Sequence, residues 1–252
     1  MEKTILITGA SSGLGLAFLK HYASQPSITL IALDVNPIPS SAQSSNIKFH
    51  QCDITSEDSL SAIQAQYKGT PIHLMLHSAG IRGLVASTVK EKPGNVAAAE
   101  TYEVMSHATM MKTLEINTWG TFNIIKTFLA NLRFATSLTL SPSSSQEVFA
   151  KVVILSSRMG SITANTFAGG GYAYRASKAG LNAIVKSFSI DVPDVTYLLL
   201  HPGRVETGLV EWKEEGAISA EESLKTCLDV IERAGKQDSG SFVDRFGDRI
   251  EW

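Results

Sequence analysis

Tyr174 and Lys178 lie four residues apart in YAYRASKAGLN, a spacing that puts both side chains on one face of a helix. A phenol with a pKa of about 10 is a poor base at neutral pH, and lowering it by two to three units takes roughly 3–4 kcal/mol. A cation ~4 Å away supplies about that much at an intermediate effective dielectric. One lysine therefore suffices to make a tyrosine a general acid–base group. Taken alone, such a pair is more often a solvated helix face. Upstream, Ser156 and Ser157 close the apolar run VVILSS. A hydroxyl at the carboxyl end of a strand can hydrogen-bond a carbonyl or an alcohol, although Ser157 alone reads equally as a turn cap.

A glycine-rich turn gives these residues a setting. The apolar run TILIT leads directly into Gly9-Ala10-Ser11-Ser12-Gly13-Leu14-Gly15. Glycines there permit a tight turn and close approach of the backbone to a pyrophosphate, and the helix that follows offers its N-terminal N–H groups and partial positive charge. Gly9, Ser11, Ser12, Gly13, Leu14 and Gly15 are the candidate contacts. An acid is expected about 20 residues further on, at the end of the second strand; Asp34 stands 19 residues after Gly15 and closes TLIALD. A carboxylate there accepts hydrogen bonds from ribose hydroxyls and repels a 2′-phosphate. Val35 and Asn36 bring no compensating cation, so NAD(H) is favoured, with NADP(H) possible. An oxidised nicotinamide would further lower the pKa of Tyr174.

The elements that must position these groups alternate. Thr4–Thr8, Thr29–Leu33, Ile47–His50, Ile72–Leu76, Val152–Leu155 and Thr196–Leu200 read as buried strands. Helices are expected at Leu14–Ala23, at Glu57–Tyr67 behind an N-cap at Thr55 or Ser56, over 107–133 and over 173–190. This alternation predicts an α/β fold, a single-domain doubly wound parallel sheet of the Rossmann type. Ser137–Gln146 reads as a serine-rich loop, and residues 35–45 as a polar loop. Segment 88–111 holds Lys90, Glu91 and Lys92, then an alanine-rich helix and Met105, Met110 and Met111, which read as core.

Composition narrows the function classes. The 252 residues are 44% apolar and 18% charged, enough for one ordinary core. Twenty-two basic residues against 24 acidic leave a net charge of −2, which argues against a general affinity for nucleic acid. No apolar stretch is long enough for a membrane span, and the apolar N-terminal run is too short for a signal peptide. Cys52 and Cys227 cannot make a disulfide framework and read as reduced thiols in a cytoplasmic protein. No metal site is expected.

Together, Thr8-Gly-x-x-x-Gly13-x-Gly15, Ser157, Tyr174-x-x-x-Lys178 and Pro202-Gly203-x-x-x-Thr207 resemble the short-chain dehydrogenases/reductases over Met1 to about Thr207. SSRMGSITANT, GGGYAYRASKAGLN, HPGRVET and the final SGSFVDRFGDRIEW are similar to the C-factor/sniffer-like carbonyl reductase branch, whose ending is a last strand and tail; with it the sheet has about seven strands. The resemblance implies roles. Tyr174 is the general acid/base, Lys178 holds the nicotinamide ribose, and Ser157 orients the reacting oxygen. Asn117 supports a proton-relay water beside the lysine. Asp53, with Ile54, contacts the adenine; Ala79 and Gly80 approach the cofactor. Pro202, Gly203, the Val205 backbone and Thr207 anchor the carboxamide. A homodimer or homotetramer is implied as well, and the apolar faces of the two long helices point the same way.

This sequence departs from the family pattern in two places. The usual Asn-Asn-Ala-Gly is His77-Ser78-Ala79-Gly80, and His77 reads as structural. The Ser157–Tyr174 gap of 17 residues is longer than usual. Many members of the branch are NADPH reductases, whereas Asp34 points to NAD(H). The segment 204–219 reads as a short substrate lid, with Arg82, Arg158, Met159, Arg204 and Trp212 as candidate lining. The reaction expected is hydride transfer between a nicotinamide and a small-molecule carbonyl or secondary alcohol. Alternatives are non-redox base chemistry (isomerase or lyase) by Tyr174, and a cofactor-dependent C-factor-like signalling or binding role. Intact Ser157, Tyr174 and Lys178 favour the enzyme.

Overall fold

Alternation of apolar residues along the strands sorts the core onto two faces of one sheet. In the first strand, β1 (Lys3–Thr8), Leu6 enters one core layer while Ile5 and Ile7 enter the other. In β2 (Ile28–Asp34), Ile31 and Leu33 oppose Leu30 and Ala32 in the same way. Burial of each such Leu or Ile contributes about 1.5–3 kcal/mol, so a one-residue slip of register would be strongly disfavoured. The computed structural model describes residues 3–139, 149–166, 169–206, 209–210, 212 and 215–252.

The remaining strands are β3 (Ile47–Gln51), β4 (Leu74–His77), β5 (Lys151–Leu155), β6 (Thr196–His201) and β7 (Ser241–Asp244). All neighbours pair parallel, in the order β3-β2-β1-β4-β5-β6-β7. The order reverses between β1 and β4. At such a switch point the connections diverge to opposite faces and leave a crevice beyond the strands' carboxyl ends.

The helices α1 (Gly13–Ala23) and α7 (Ala220–Arg233) cover one face; α2 (Glu57–Gln66), α5 (Gly120–Thr139) and α6 (Tyr172–Asp191) cover the other. Ser56 caps α2 by accepting from the Ser59 amide. Ser219 caps α7 in the same way, with Glu221 and Glu222 in the first turn, where the helix dipole favours acids. In α6 the buried positions are Ala173, Tyr174, Ser177, Lys178, Leu181, Asn182 and Val185. This is an i, i+3, i+4 stripe, and it carries Tyr174 and Lys178 inward.

The stretch 107–133 is helical throughout, as expected: α4 (His107–Leu114), a π-helical turn at Glu115–Trp119, then α5. Other expectations are corrected. α5 runs through Ser137 to Thr139; residues 140–146 of the expected serine-rich loop lie outside the described residues. The alanine-rich helix expected after Lys92 is only a single 3-10 turn at Ala97–Glu100, separated from α3 (Ala86–Glu91) by Pro93 and Gly94. Met105, Met110 and Met111 do not join the core, and Met111 is 48% exposed. Among the described residues no helix is long and apolar enough to cross a membrane.

Candidate active site

A cavity of about 520 Å³ opens at the carboxyl edge of the sheet, over the switch point. Gly9, Ser11, Ser12, Gly13 and Leu14 form its floor. Gly9 has φ 67°, and a Cβ there would come within 2.8 Å of the Ala79 amide. Gly15 lies beneath the turn rather than in the lining; a Cβ on it would sit 2.0 Å from the Gly9 carbonyl oxygen. Neither position tolerates a side chain without moving backbone. α1 begins behind Ser12 with no side-chain cap and no acid in its first turn. Its leading amides are thus left for an anion.

Asp34 and Asp53 mark one end of this cavity. Asp34 Oδ2 accepts from the Ser11 amide and Oδ1 from the Asn36 amide, each at 2.9 Å. The carboxylate thereby ties the glycine turn to the end of β2 and still has lone pairs for ribose hydroxyls. Asp53 Oδ1 accepts from the Thr55 amide (2.9 Å) and hydroxyl (2.8 Å). Those bonds, with Lys112 nearby, outweigh burial and hold its carboxyl below the usual range. Ile54 lines the cavity beside it, its carbonyl accepting from Asn123 Nδ2 at 2.9 Å. An uncapped helix, a glycine floor that any Cβ would fill and a strand-end carboxylate fit a dinucleotide.

Ser157, Tyr174 and Lys178 line the opposite end. Ser157 follows β5 and is set by its neighbour: Ser156 Oγ donates to Asn182 Oδ1 at 2.6 Å, and Asn182 Nδ2 donates to the Gly160 carbonyl at 3.4 Å. Asn182 lies one turn beyond Lys178 on α6, so this helix orients the serine as well as supplying the tyrosine and lysine. Lys178 Nζ donates to the Leu155 carbonyl at 2.8 Å and lies 5.7 Å from the Tyr174 ring centroid. Burial pushes its ammonium down to about 8.

Asn117 is fully buried behind this group, on the π-helical turn. Its Oδ1 accepts from the Ile81 amide (2.8 Å), and its Nδ2 donates to the Ile81 carbonyl and to Ser177 Oγ, both at 2.9 Å. It thus couples the segment after β4 to α6. A Cβ on Gly80 would meet Asn117 Oδ1 at 3.0 Å and Lys178 Nζ at 3.8 Å.

The structure explains how His77 takes the place of an asparagine. Thr121 Oγ1 donates to the Asn117 carbonyl at 2.7 Å, so His77 Nε2 must donate to Thr121 Oγ1 at 3.0 Å. His77 Nδ1 then accepts from Thr8 Oγ1 at 2.8 Å, and Thr8 Oγ1 accepts from the Ala79 amide at 3.3 Å. Donor and acceptor counts leave one tautomer. Burial, followed by the Lys178 charge, pushes the imidazole down to about 3. His77 is a neutral strut between β1 and the first turn of α5, as its structural reading anticipates.

Ala79, Gly80, Pro202, Gly203 and Val205 all line the cavity; Thr207 lies outside the described residues. Val205 pairs with Ile218, and the Pro202 carbonyl accepts from Ser223 Oγ at 2.7 Å, so the base of segment 204–219 is tied down. His201 lines the cavity too, its imidazole pushed down to about 4 by burial and by the Arg158 charge. The candidate substrate-lining residues are not in the lining. Arg158 pairs with Asp244 at 3.3 Å, Arg204 donates to the Glu215 carbonyl, and Arg82 is clamped by Glu100. Met159 packs against Gly171, and Trp212 reaches Gly94. Each contact joins residues far apart in sequence, which is why spacing alone misplaces them. Asn182, Thr121 and Ser177 carried no sequence signal for the same reason.

With this geometry in view, the comparisons decide the family. The family model for short chain dehydrogenase matches residues 3–217. The chain belongs to the short-chain dehydrogenases. C-signal of Myxococcus xanthus is 32% identical over 184 residues, covering 72% of this chain and 93% of that one. The carbonyl reductase Sniffer of D. melanogaster superposes with a TM-score of 0.81 at 27% identity, over the whole of both chains. The NADPH-bound carbonyl reductase from chicken fatty liver gives 0.81 at 25% identity, over 99% of each. This short-chain dehydrogenase is thus an oxidoreductase of carbonyl reductase-like fold, in a family that uses nicotinamide dinucleotides.

Proposed function

We propose that this short-chain dehydrogenase transfers a hydride between a nicotinamide cofactor and a carbonyl or secondary alcohol, with Tyr174 as general acid/base. The observation that carries the reading is that Ser157, Tyr174 and Lys178 line the same cavity as the glycine turn and Asp34. The nicotinamide, when bound, supplies or accepts the hydride. Ser157 donates a hydrogen bond to the substrate oxygen and orients it. Tyr174 gives that oxygen its proton during reduction and takes it back during oxidation. Lys178 stabilises the phenolate and holds a ribose hydroxyl. Asn117 keeps the Ile81 segment in place beside them and supports a water next to Lys178.

The glycine turn and the α1 amides hold the pyrophosphate; Asp53 and Ile54 meet the adenine; Pro202, Gly203, Val205 and Thr207 hold the carboxamide. Asp34 favours NAD(H). Among the described lining residues the cations are Lys112 and Lys178, and neither adjoins Asp34 in the sequence to receive a 2′-phosphate. The similar carbonyl reductase from chicken fatty liver, by contrast, binds NADPH. Ile81, Val205 and Leu209 supply apolar lining, which suits a neutral small-molecule substrate under the lid at 204–219. A homodimer or homotetramer is part of the reading, supported by exposed Met111, Trp119, Phe134 and Leu138 on α4, its π-helical extension and α5. So is a cytoplasmic setting, supported by the free thiols Cys52 and Cys227.

The test is purified protein with NADH or NADPH and a panel of aldehydes and ketones, and with NAD+ or NADP+ and secondary alcohols, followed by nicotinamide absorbance. Tyr174→Phe should lower turnover by about 10²-fold or more. Product without any change in absorbance would identify base chemistry instead. A biological effect that survives Tyr174→Phe with cofactor binding intact would favour a signalling role.

A further inference from the structure

Tyr174 has a second cation against it. The Arg82 guanidinium carbon lies 4.8 Å from the Tyr174 ring centroid, closer than Lys178 Nζ at 5.7 Å. Arg82 is fixed by a two-point bond to Glu100, Nε to Oε2 at 2.8 Å and Nη2 to Oε1 at 2.9 Å. The two side chains are only 14% and 11% exposed. Glu100 closes the 3-10 turn at Ala97–Glu100, and its backbone carbonyl accepts from the Gly171 amide at 2.9 Å. Gly171 is the residue from which α6 starts. One acid thus anchors both the arginine and the start of the helix that carries the tyrosine.

A buried ion pair contributes little net stability, because desolvation offsets its attraction, so stability alone does not account for it here. Among the described residues that line the cavity, Arg82 does not appear. Its guanidinium faces an aromatic ring whose negative charge increases when the phenol ionises. A cation so placed favours the phenolate.

We propose that the Arg82–Glu100 pair is a positioning and tuning device for Tyr174, in which Arg82 favours the phenolate and Glu100 moderates that pull. This rests on Tyr174 being the acid/base. The groups that face the ring or adjoin those that do include Lys178 on its own helix, Arg82 after β4, Glu100 paired with Arg82 and His77, which feels the Lys178 charge. Lys178 and His77 are common to every variant below, so their effect cancels in the comparison.

The experiment is a phenolate titration that needs no substrate. The ultraviolet difference spectrum between each variant and the same variant carrying Tyr174→Phe isolates this one tyrosine. Arg82→Met should raise the titration midpoint of Tyr174 by about one pH unit, and Glu100→Gln should lower it. Opposite directions are the signature, since a pair that merely holds the loop would move both variants the same way. Equal or absent shifts overturn the proposal. If Arg82→Met does not fold, Arg82→Lys replaces it and should leave the midpoint within a few tenths of wild type, while Glu100→Gln still decides the direction. Because the readout is spectroscopic, turnover surviving Tyr174→Phe would refute the acid/base reading separately.

Discussion

Replacing Lys178 with methionine should make this protein more stable while removing its activity. The ammonium sits in full burial, which takes its pKa from the ordinary 10.5 to about 8. Each pKa unit is about 1.4 kcal/mol, so keeping the lysine charged at pH 7 costs about 3 kcal/mol of folding stability. Methionine has similar length and no charge, and packs with little strain. It forfeits the 2.8 Å bond to the Leu155 carbonyl, a loss of about 1 kcal/mol. The net gain at pH 7 is about 2 kcal/mol, or about 4–8 °C in Tm for a chain of this size. The sign with pH follows from proton counts. Between about pH 8 and 10.5 the unfolded chain binds a proton that the folded chain has released, so wild-type stability rises with pH relative to the variant. The penalty is full below about pH 8 and gone by about pH 10.5. Urea midpoints of both proteins at several pH values from 7 to 10 read this directly. A variant no more stable than wild type at pH 7, with a difference that stays constant across the range, would refute the reasoning.

His77, pushed down to about 3, stays neutral in the fold while the unfolded chain protonates near pH 6.5. Its stabilising contribution is present above about pH 6.5 and lost as pH falls toward 3, by up to about 5 kcal/mol. His77→Gln should therefore flatten the acid side of the urea-midpoint profile relative to wild type. Fluorescence titration should show NADH bound about tenfold or more tighter than NADPH, a gap of about 1.4 kcal/mol, and Asp34→Ala should erase it; tighter NADPH binding would overturn the assignment of Asp34. Asn182→Ala removes the acceptor of Ser156 Oγ and should cost about 1–3 kcal/mol of stability. It should also lower kcat more than it raises KM, because it loosens Ser157 rather than the substrate pocket; single-substrate kinetics separate the two.

Much of this protein was legible in its sequence because the features are local. Strand alternation, the stripe on α6, the Ser56 cap and the glycine turn each depend on residues within a few positions of one another. The same locality put Tyr174 and Lys178 on one face and Asp34 at the end of β2. What local patterns missed was imposed by something distant. The helix expected over 107–133 contains a π-helical turn at Glu115–Trp119, where Asn117 is fastened to Ile81 and Ser177, 36 and 60 positions away. The methionines of α4 and the segment before it look like core by composition, yet lie half-buried or exposed.

What the tertiary structure alone decided is where the polar side chains find their partners. Thr8 and His77 meet across 69 positions, Ser156 and Asn182 across 26, and Arg82 and Glu100 across 18. Periodicity determines which face of an element is buried. It does not determine which buried polar atom on one element will sit opposite which on the next. That follows from the strand order and the side-chain packing, under the requirement that each buried donor and acceptor be satisfied. Hence the sequence named Tyr174 and Lys178, and only the folded chain set Arg82 against the Tyr174 ring.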